Sequence, residues 1–297
     1  MTGSVKQIRR AILFINLHKG QAGVVAAGIR ETLETRGVGT DFYTFEKKSL
    51  PFRGKDYDIA FSLGGDGTVL YAARSMAALG IPVVPVNLGT LGFIASVPPG
   101  EWQAVYDAWL AGTIVPSRRF MLEAAVERGN KRIFVNSCLN DIVISASGIA
   151  KLIRLEVKSD HVNLGEYRSD GLIIATPTGS TGYSVAAGGP ILDPELEAII
   201  LNPICPFTLS NRPIVLPPNE TVIITVGKEQ RSGVLLTVDG QVTEMLEPED
   251  CIRIGKTPWY AELIASDRNV FYEALRSKLN WSGTTGNGGG KRGADHA

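Results

Sequence analysis

Cysteine is scarce in this 297-residue chain: Cys138, Cys205 and Cys251 are far apart and odd in number, which excludes a disulfide framework and a paired-thiol metal site. They read as buried, inert thiols. The three histidines, His18, His161 and His296, show no metal-ligand spacing, and no residue of the sequence is assigned to a metal. An excess of charge is missing too, since Lys plus Arg and Asp plus Glu both number 30. No global field therefore draws the chain to nucleic acid or to an anionic membrane, and a charged ligand must be met by local groups. No apolar run approaches the roughly eighteen residues that span a bilayer. The run at 11–17 is short for a signal core and lacks a small-residue cleavage pattern. These absences lead to the expectation of a soluble, cytoplasmic protein with neither nucleic acid nor membrane as partner. The sequence also has no His-Glu-x-x-His helix, nucleophile-elbow serine or Cys-x-x-Cys pair.

What is present alternates over the first hundred residues. AILFIN (11–16), DFYTF (41–45), DIAFSL (58–63) and IPVVPVNLG (81–89) read as strands, while QAGVVAAGIRETLETRG (21–37) and TVLYAARSMAALG (68–80) read as helices. That order implies a parallel sheet with right-handed crossovers. A further helix at 101–111 puts Trp102, Val105, Tyr106 and Trp109 on one core-facing stripe.

After Pro116 the period changes. Two β-like runs flank the hairpin-type pair Gly129 and Asn130, and LIRLEV, GLIIAT, TVIITV, GVLLTV and CIRIG follow, with one short helix expected near 194–200. The expected fold is α/β plus β: a Rossmann-like α/β domain at 1–115, completed by 263–281, and an all-β sandwich-type domain at 116–262. The tail at 282–297 is too poor in apolar groups to order itself and reads as disordered.

FSLGGDGTVL (61–70) carries the chemistry. Gly64, Gly65 and Gly67 permit positive φ and close approach of backbone amides to a phosphate, and a helix beginning near Thr68 adds its positive dipole end. The loop is neither a Walker A motif, lacking Gly-Lys-Ser/Thr, nor a dinucleotide fingerprint, lacking the third glycine. Asp66 in its midst either holds a metal or takes a proton from a hydroxyl attacking phosphate, so the implied reaction is phosphoryl transfer. The bland alternative makes Asp66 the N-cap of the next helix. TPTGSTGYS (176–184) offers six hydroxyls and reads equally as a polar binding loop or a long hydroxylated surface turn. Asn140 and Asp141 interrupt a strand-like run, and as a polar pair they need partners.

GGDGT (64–68), LGTLGF (88–93), LND (139–141), SDGLIIATPTGSTGYSVAAGGP (169–190) and the closing FYEALRSKLNW together resemble the NAD kinases, in order and spacing, from about residue 10 to 281. GGDGT alone is shared with lipid kinases and phosphofructokinases. The resemblance implies transfer of phosphate from ATP, with a divalent cation (Mg²⁺ or Mn²⁺), to the adenosine ribose 2′-hydroxyl of NAD, in a cleft between the two domains. Asp66 matches the family's proton acceptor, Gly67 the glycine against the dinucleotide, and Gly64, Gly65, Gly67 and Thr68 the ATP phosphate loop. Asn140 and Asp141 match the pair that bonds adenine and ribose hydroxyls, with Asp141 a methylene shorter than the commoner Glu. Thr178 and Thr181, Gly182, Tyr183, Ser184, Val185 and Ala186 match dinucleotide-binding positions, with the Tyr183 ring against a flat group such as adenine. Asp170 matches a carboxylate on the nicotinamide-ribose side. Lys151, Arg168 and Gln241 match positions lining or near the same site. A homodimer or homotetramer is implied, with polyphosphate as an alternative donor. A GGDGT-type lipid kinase and a non-catalytic dinucleotide sensor are the competing readings.

Overall fold

The computed structural model describes residues 7–45, 52, 54, 56–148, 152–160, 162–208 and 210–279. The continuous apolar runs of the first hundred residues become parallel strands buried on both faces. They form a six-stranded sheet in the order Gly39–Phe45, Arg10–Asn16, Ile59–Gly64, Val83–Asn87, Ala261–Leu263 and Ser117–Arg119. All pairings are parallel up to Ala261–Leu263, and Ser117–Arg119 closes the edge antiparallel to it. The first sheet thus recruits strands from far along the chain.

Helix α1 (Ala22–Thr35) lays Ala22, Ala26, Ile29 and Leu33 on one face of this sheet and ends before Gly37, whose φ of 75° suits glycine. Helix α2 (Asp66–Ala77) covers the opposite face with Val69, Ala73 and Met76 against Ile12, Phe14 and Ala60. Helix α3 (Trp102–Leu110) joins the α1 side, burying Trp102, Tyr106 and Trp109, with Val105 partly buried beside them. The spacing expected for that stripe is the spacing observed.

The alternating runs after Pro116 build two further six-stranded sheets packed face to face. Strand Ile153–Ser159 shows the period of two cleanly, with Ile153, Leu155 and Val157 inward. The hairpin Leu122–Arg128 to Lys131–Cys138 turns at Gly129, φ 59°. In the second sheet of the sandwich, Gly171–Ala175 lies between Asp141–Ala146 and Ile199–Ile204, and Val234–Val238 pairs with the outer side of Asp141–Ala146. Leu172 and Ile174 enter the sandwich core, whereas Ile173 and Ala175 face outward into a small cluster with Val143 and Ile200.

Three expectations are corrected. The segment 194–200 is a turn leading into the strand Ile199–Ile204: Asp193 Oδ1 accepts the Glu195 amide, Ile200 pairs with Ala175, and Ile199 pairs with Leu216. The hydroxyl-rich segment is not a plain loop but a 3₁₀ turn, Thr178–Thr181, followed by the one-turn helix α4 (Tyr183–Ala186). Of the three thiols only Cys138 is buried, while Cys205, in a left-handed turn with φ 44°, is exposed. The terminal helix α5 (Arg268–Leu279) buries Phe271, Ala274 and Leu275. The tail at 282–297 and Lys151 lie outside the described residues.

Candidate active site

The strand Ile59–Gly64 runs directly into α2, and Gly65 is the extended N-cap. None of Gly64, Gly65 and Gly67 is left-handed, and only Gly64 is needed for close approach within the fold: a Cβ there would sit 2.2 Å from Thr68 Oγ1, whereas one on Gly65 would meet nothing within 4 Å and one on Gly67 only Gln241 Nε2 at 4.0 Å. Thr68 is buried against this loop, in the first turn of a helix that begins two residues earlier than the sequence suggested. Asp66 does not cap α2. Its carboxylate reaches across to the segment after Gly92, where Oδ2 accepts the Phe93 amide (3.0 Å) and Oδ1 accepts those of Ile94 (3.2 Å) and Ala95 (2.8 Å). Gly92 is obligatory for this approach, because a Cβ there would lie 1.9 Å from Asp66 Oδ1.

A second carboxylate organises the sandwich side. Asp239, buried and left-handed at φ 50°, accepts the amides of Leu139 (3.0 Å), Asn140 (2.8 Å) and Asp141 (3.2 Å). Burial pushes its carboxyl pKa up, and the charge of Arg74 and the three amides oppose that rise. Arg74, on α2, sets Nη1 at 3.4 Å from Asp239 and donates through Nη2 to Gln241 (3.0 Å), while Gln241 Nε2 donates to the Gly67 carbonyl (2.7 Å). The turn at 238–241 is thereby fastened to the glycine-rich loop at 64–67.

Beside Asp239 opens a cavity of about 420 Å³ lined by Asn140, Asp141, Val143, Ser145, Tyr183, Thr237, Asp239 and Gly240. The Asp141 carboxyl is pushed up to about 7, first by burial and then by the charge of Asp239, against a lowering hydrogen bond from the Tyr183 amide. Tyr183 is half exposed over the opening. Among the described residues, Asn140 Oδ1 and Thr178 Oγ1 are buried with no hydrogen-bond partner, which suits them to a polar ligand. The other hydroxyls of the segment serve the framework: Thr176 Oγ1 donates to Leu139 O, Ser180 Oγ to Pro177 O, and Ser184 Oγ accepts from Asn202. Thr181 Oγ1 reaches only the Thr178 carbonyl, at 3.4 Å. Gly179 and Gly182 let the backbone pass close to Asn140, whose carbonyl a Cβ on Gly179 would meet at 2.1 Å.

Asn140, Asp141 and Tyr183 therefore share one cavity, flanked by Thr178, Thr181, Gly182, Ser184, Val185 and Ala186 and joined through Gln241 to Gly67 and the Asp66 loop. Two basic or acidic candidates stand apart. Asp170 is exposed at the opposite end of Gly171–Ala175 from Thr176, and Arg168 is exposed with its guanidinium 5.0 Å from the Phe207 ring centroid. Sequence reasoning missed Asp239, Arg74, Gly92 and the amides of Phe93, Ile94 and Ala95. The Asp-Gly pair at 239–240 has the composition of a turn, but nothing local signals its service to residues about a hundred positions earlier. Among the described residues no group of three or more His, Cys, Asp or Glu side chains could hold a metal ion.

The ATP-NAD kinase N-terminal domain profile matches residues 5–114, and the ATP-NAD kinase C-terminal domain profile matches 139–266. The NAD kinase of Treponema denticola is 41% identical over 279 residues, covering 94% of this chain and 98% of its own. That of Treponema pallidum is 40% identical, covering 95% and 93%. In fold, the chain is similar to yeast NADH kinase complexed with NADH (TM-score 0.82, 23% identity, 94% and 89% covered). It is also similar to an NAD kinase from Archaeoglobus fulgidus in complex with ATP (TM-score 0.70, 24% identity, 91% and 99% covered). Two domain profiles in sequence order and relatives matched along almost their whole length leave one assignment: the chain belongs to the ATP-NAD kinase family.

Proposed function

We propose that the protein phosphorylates the adenosine ribose 2′-hydroxyl of NAD with ATP, giving NADP, and that Asp66 takes the hydroxyl proton. The observation that carries this is the state of the Asp66 carboxylate. It offers about four lone-pair sites; Oδ1 accepts two amides and Oδ2 only one, so Oδ2 keeps capacity for a hydroxyl. It does so beside Gly67, which is bonded to the turn that lines the cavity. A carboxylate already fixed by three amides loses little freedom when it meets its substrate.

Each end of the dinucleotide site has a chemical task. The buried Asn140 Oδ1 and Thr178 Oγ1 would meet polar groups of the adenosine, Asp141 would accept from ribose hydroxyls, and Tyr183 would cover a ring. The N-terminus of α2, with Gly64, Gly65 and Gly67, would meet the donor's phosphates; the Thr68 amide is already given to the Gly65 carbonyl (2.9 Å). A divalent cation, Mg²⁺ or Mn²⁺, supplies charge neutralisation when it arrives on the ATP phosphates. Asp170 remains a proposed contact on the nicotinamide-ribose side, and Arg168 and Lys151 remain proposed to line the dinucleotide site. Polyphosphate as an alternative donor, a cytoplasmic location and a homodimeric or homotetrameric state belong to the same proposal. No helix among the described residues is long and apolar enough to cross a membrane.

Purified protein incubated with NAD, Mg²⁺ and either ATP or polyphosphate, with NADP as the readout, tests the reaction. Asp66→Asn should keep NAD binding and lose roughly 10²- to 10⁴-fold in turnover. Near-normal turnover in that variant would remove Asp66 from the mechanism.

A further inference from the structure

Arg119 is 2% exposed, and among the described residues it forms no ion pair. Its Nη2 donates to the backbone carbonyl of Ser266 and, at 3.4 Å, to Ser266 Oγ, while Nε has no partner. Burial pushes its pKa down to about 10, with Glu195, Asp193 and Asp267 opposing only through their more distant charges. An apolar side chain of similar volume would fill this place without the desolvation cost. A charge kept here calls for a reason other than packing.

That reason lies on the far side of Ser266. The preceding residue, Ala265, is left-handed at φ 54°, a conformation that costs free energy for any residue with a Cβ. Ser96 Oγ donates to the Ala265 carbonyl (2.8 Å), and Ser266 Oγ approaches the Ile94 carbonyl at 3.5 Å. The bend at Ala265 and Ser266 thus grips the segment 94–96, whose neighbouring amides hold the Asp66 carboxylate. Helix α5 begins just beyond and sets Phe271 against Phe93, ring centroids 6.1 Å apart.

We infer that Arg119 is a positioning residue for the phosphoryl transfer: by holding the bend at Ala265 and Ser266 it fixes the Phe93, Ile94 and Ala95 amides and, through them, the aim of Asp66. This rests on Asp66 being the proton acceptor. Arg119 itself touches neither substrate nor the reacting atoms.

A double-mutant cycle on the full chain tests it, with kcat, KM for NAD and the melting temperature measured for each variant. Arg119→Met is expected to lower kcat by roughly 10- to 100-fold while KM for NAD moves less than about twofold. Arg119→Lys should recover part of the loss. In an Asp66→Asn background the same Arg119→Met change should leave the residual turnover unaltered, since there is no longer a base to aim. Equal losses in both backgrounds, or a raised KM with unchanged kcat, would overturn the inference. Ser266→Ala removes one hydroxyl and should repeat the pattern to a smaller extent; it carries the test if Arg119→Met does not fold, and normal turnover in it also overturns the idea. Near-normal turnover in Asp66→Asn alone defeats the proton-acceptor reading and the inference with it. A fully active Arg119→Met beside an impaired Asp66→Asn defeats the positioning role alone.

Discussion

Arg74 and Asp239 form an ion pair 3.4 Å long in which the side chains are 9% and 0% exposed, joining α2 to the turn that lines the cavity of Asn140, Asp141 and Tyr183. Removing one partner leaves the other charge buried and unpaired. Arg74→Met is therefore expected to cost about 3–5 kcal/mol of stability. It should also raise KM for NAD, because Asp239 fixes the amides of Asn140 and Asp141. Urea unfolding together with steady-state kinetics checks both parts; an unchanged unfolding midpoint would show that the pair contributes nothing.

Asp141 gives the enzyme a pH dependence whose sign is unusual for an aspartate. Its folded-state pKa is raised from 3.8 to about 7, so the proton bound in the folded state is absent from the unfolded chain over that interval. The stability this proton contributes is fully present below the unfolded value and is lost as pH rises through about 7. Asp141→Asn should consequently be more stable than the parent at about pH 8 and lose the fall in melting temperature between about pH 4 and 8. Binding has the opposite trend, since the ionised carboxylate is the better acceptor for ribose hydroxyls: KM for NAD should rise in the parent as pH drops below about 7. A flat KM across that range would separate Asp141 from the ribose.

Gly92→Ala isolates the grip on Asp66. The new Cβ would stand 1.9 Å from Oδ1 and 2.8 Å from Cγ, so either the carboxylate or the amide segment must retreat. A displacement of about 1 Å at the reacting centre is enough for a loss of order 10² in turnover, with NAD affinity little changed. Stopped-flow measurement of the phosphoryl-transfer step against NAD binding distinguishes this from a general weakening of the fold.

The sequence made legible what is encoded locally. The stripe of Trp102, Val105, Tyr106 and Trp109, the strand at 11–16 and the hairpin at Gly129 each follow from a short pattern, and each is observed. The resemblance picked out Asp66, Asn140, Asp141 and Tyr183; the fold sets the last three around one cavity, and Gln241 ties the turn beside it to Gly67, next to Asp66. What escaped depends on contacts distant along the chain. The alternative that made Asp66 a helix cap followed from the helix start beside it, yet its partners lie 27 to 29 positions onward. The segment 194–200 looked helical because Glu195, Leu196, Glu197 and Ala198 are good helix formers, but the sheet captured Ile199 and Ile200 and overrode that preference. Asp239 was hidden in an ordinary Asp-Gly turn.

The chain leaves the first sheet along Ser117–Arg119 and comes back beside it along Ala261–Leu263, the two being paired in register. A fragment ending near residue 116 would therefore lack both: Val83, whose carbonyl accepts the Ile264 amide, would lose its partner, while Pro85 and Asn87 would keep theirs in Ser96 and Val97. The amino-terminal portion, though it matches a domain profile of its own, is in this respect an unfinished piece that the return of the chain makes whole.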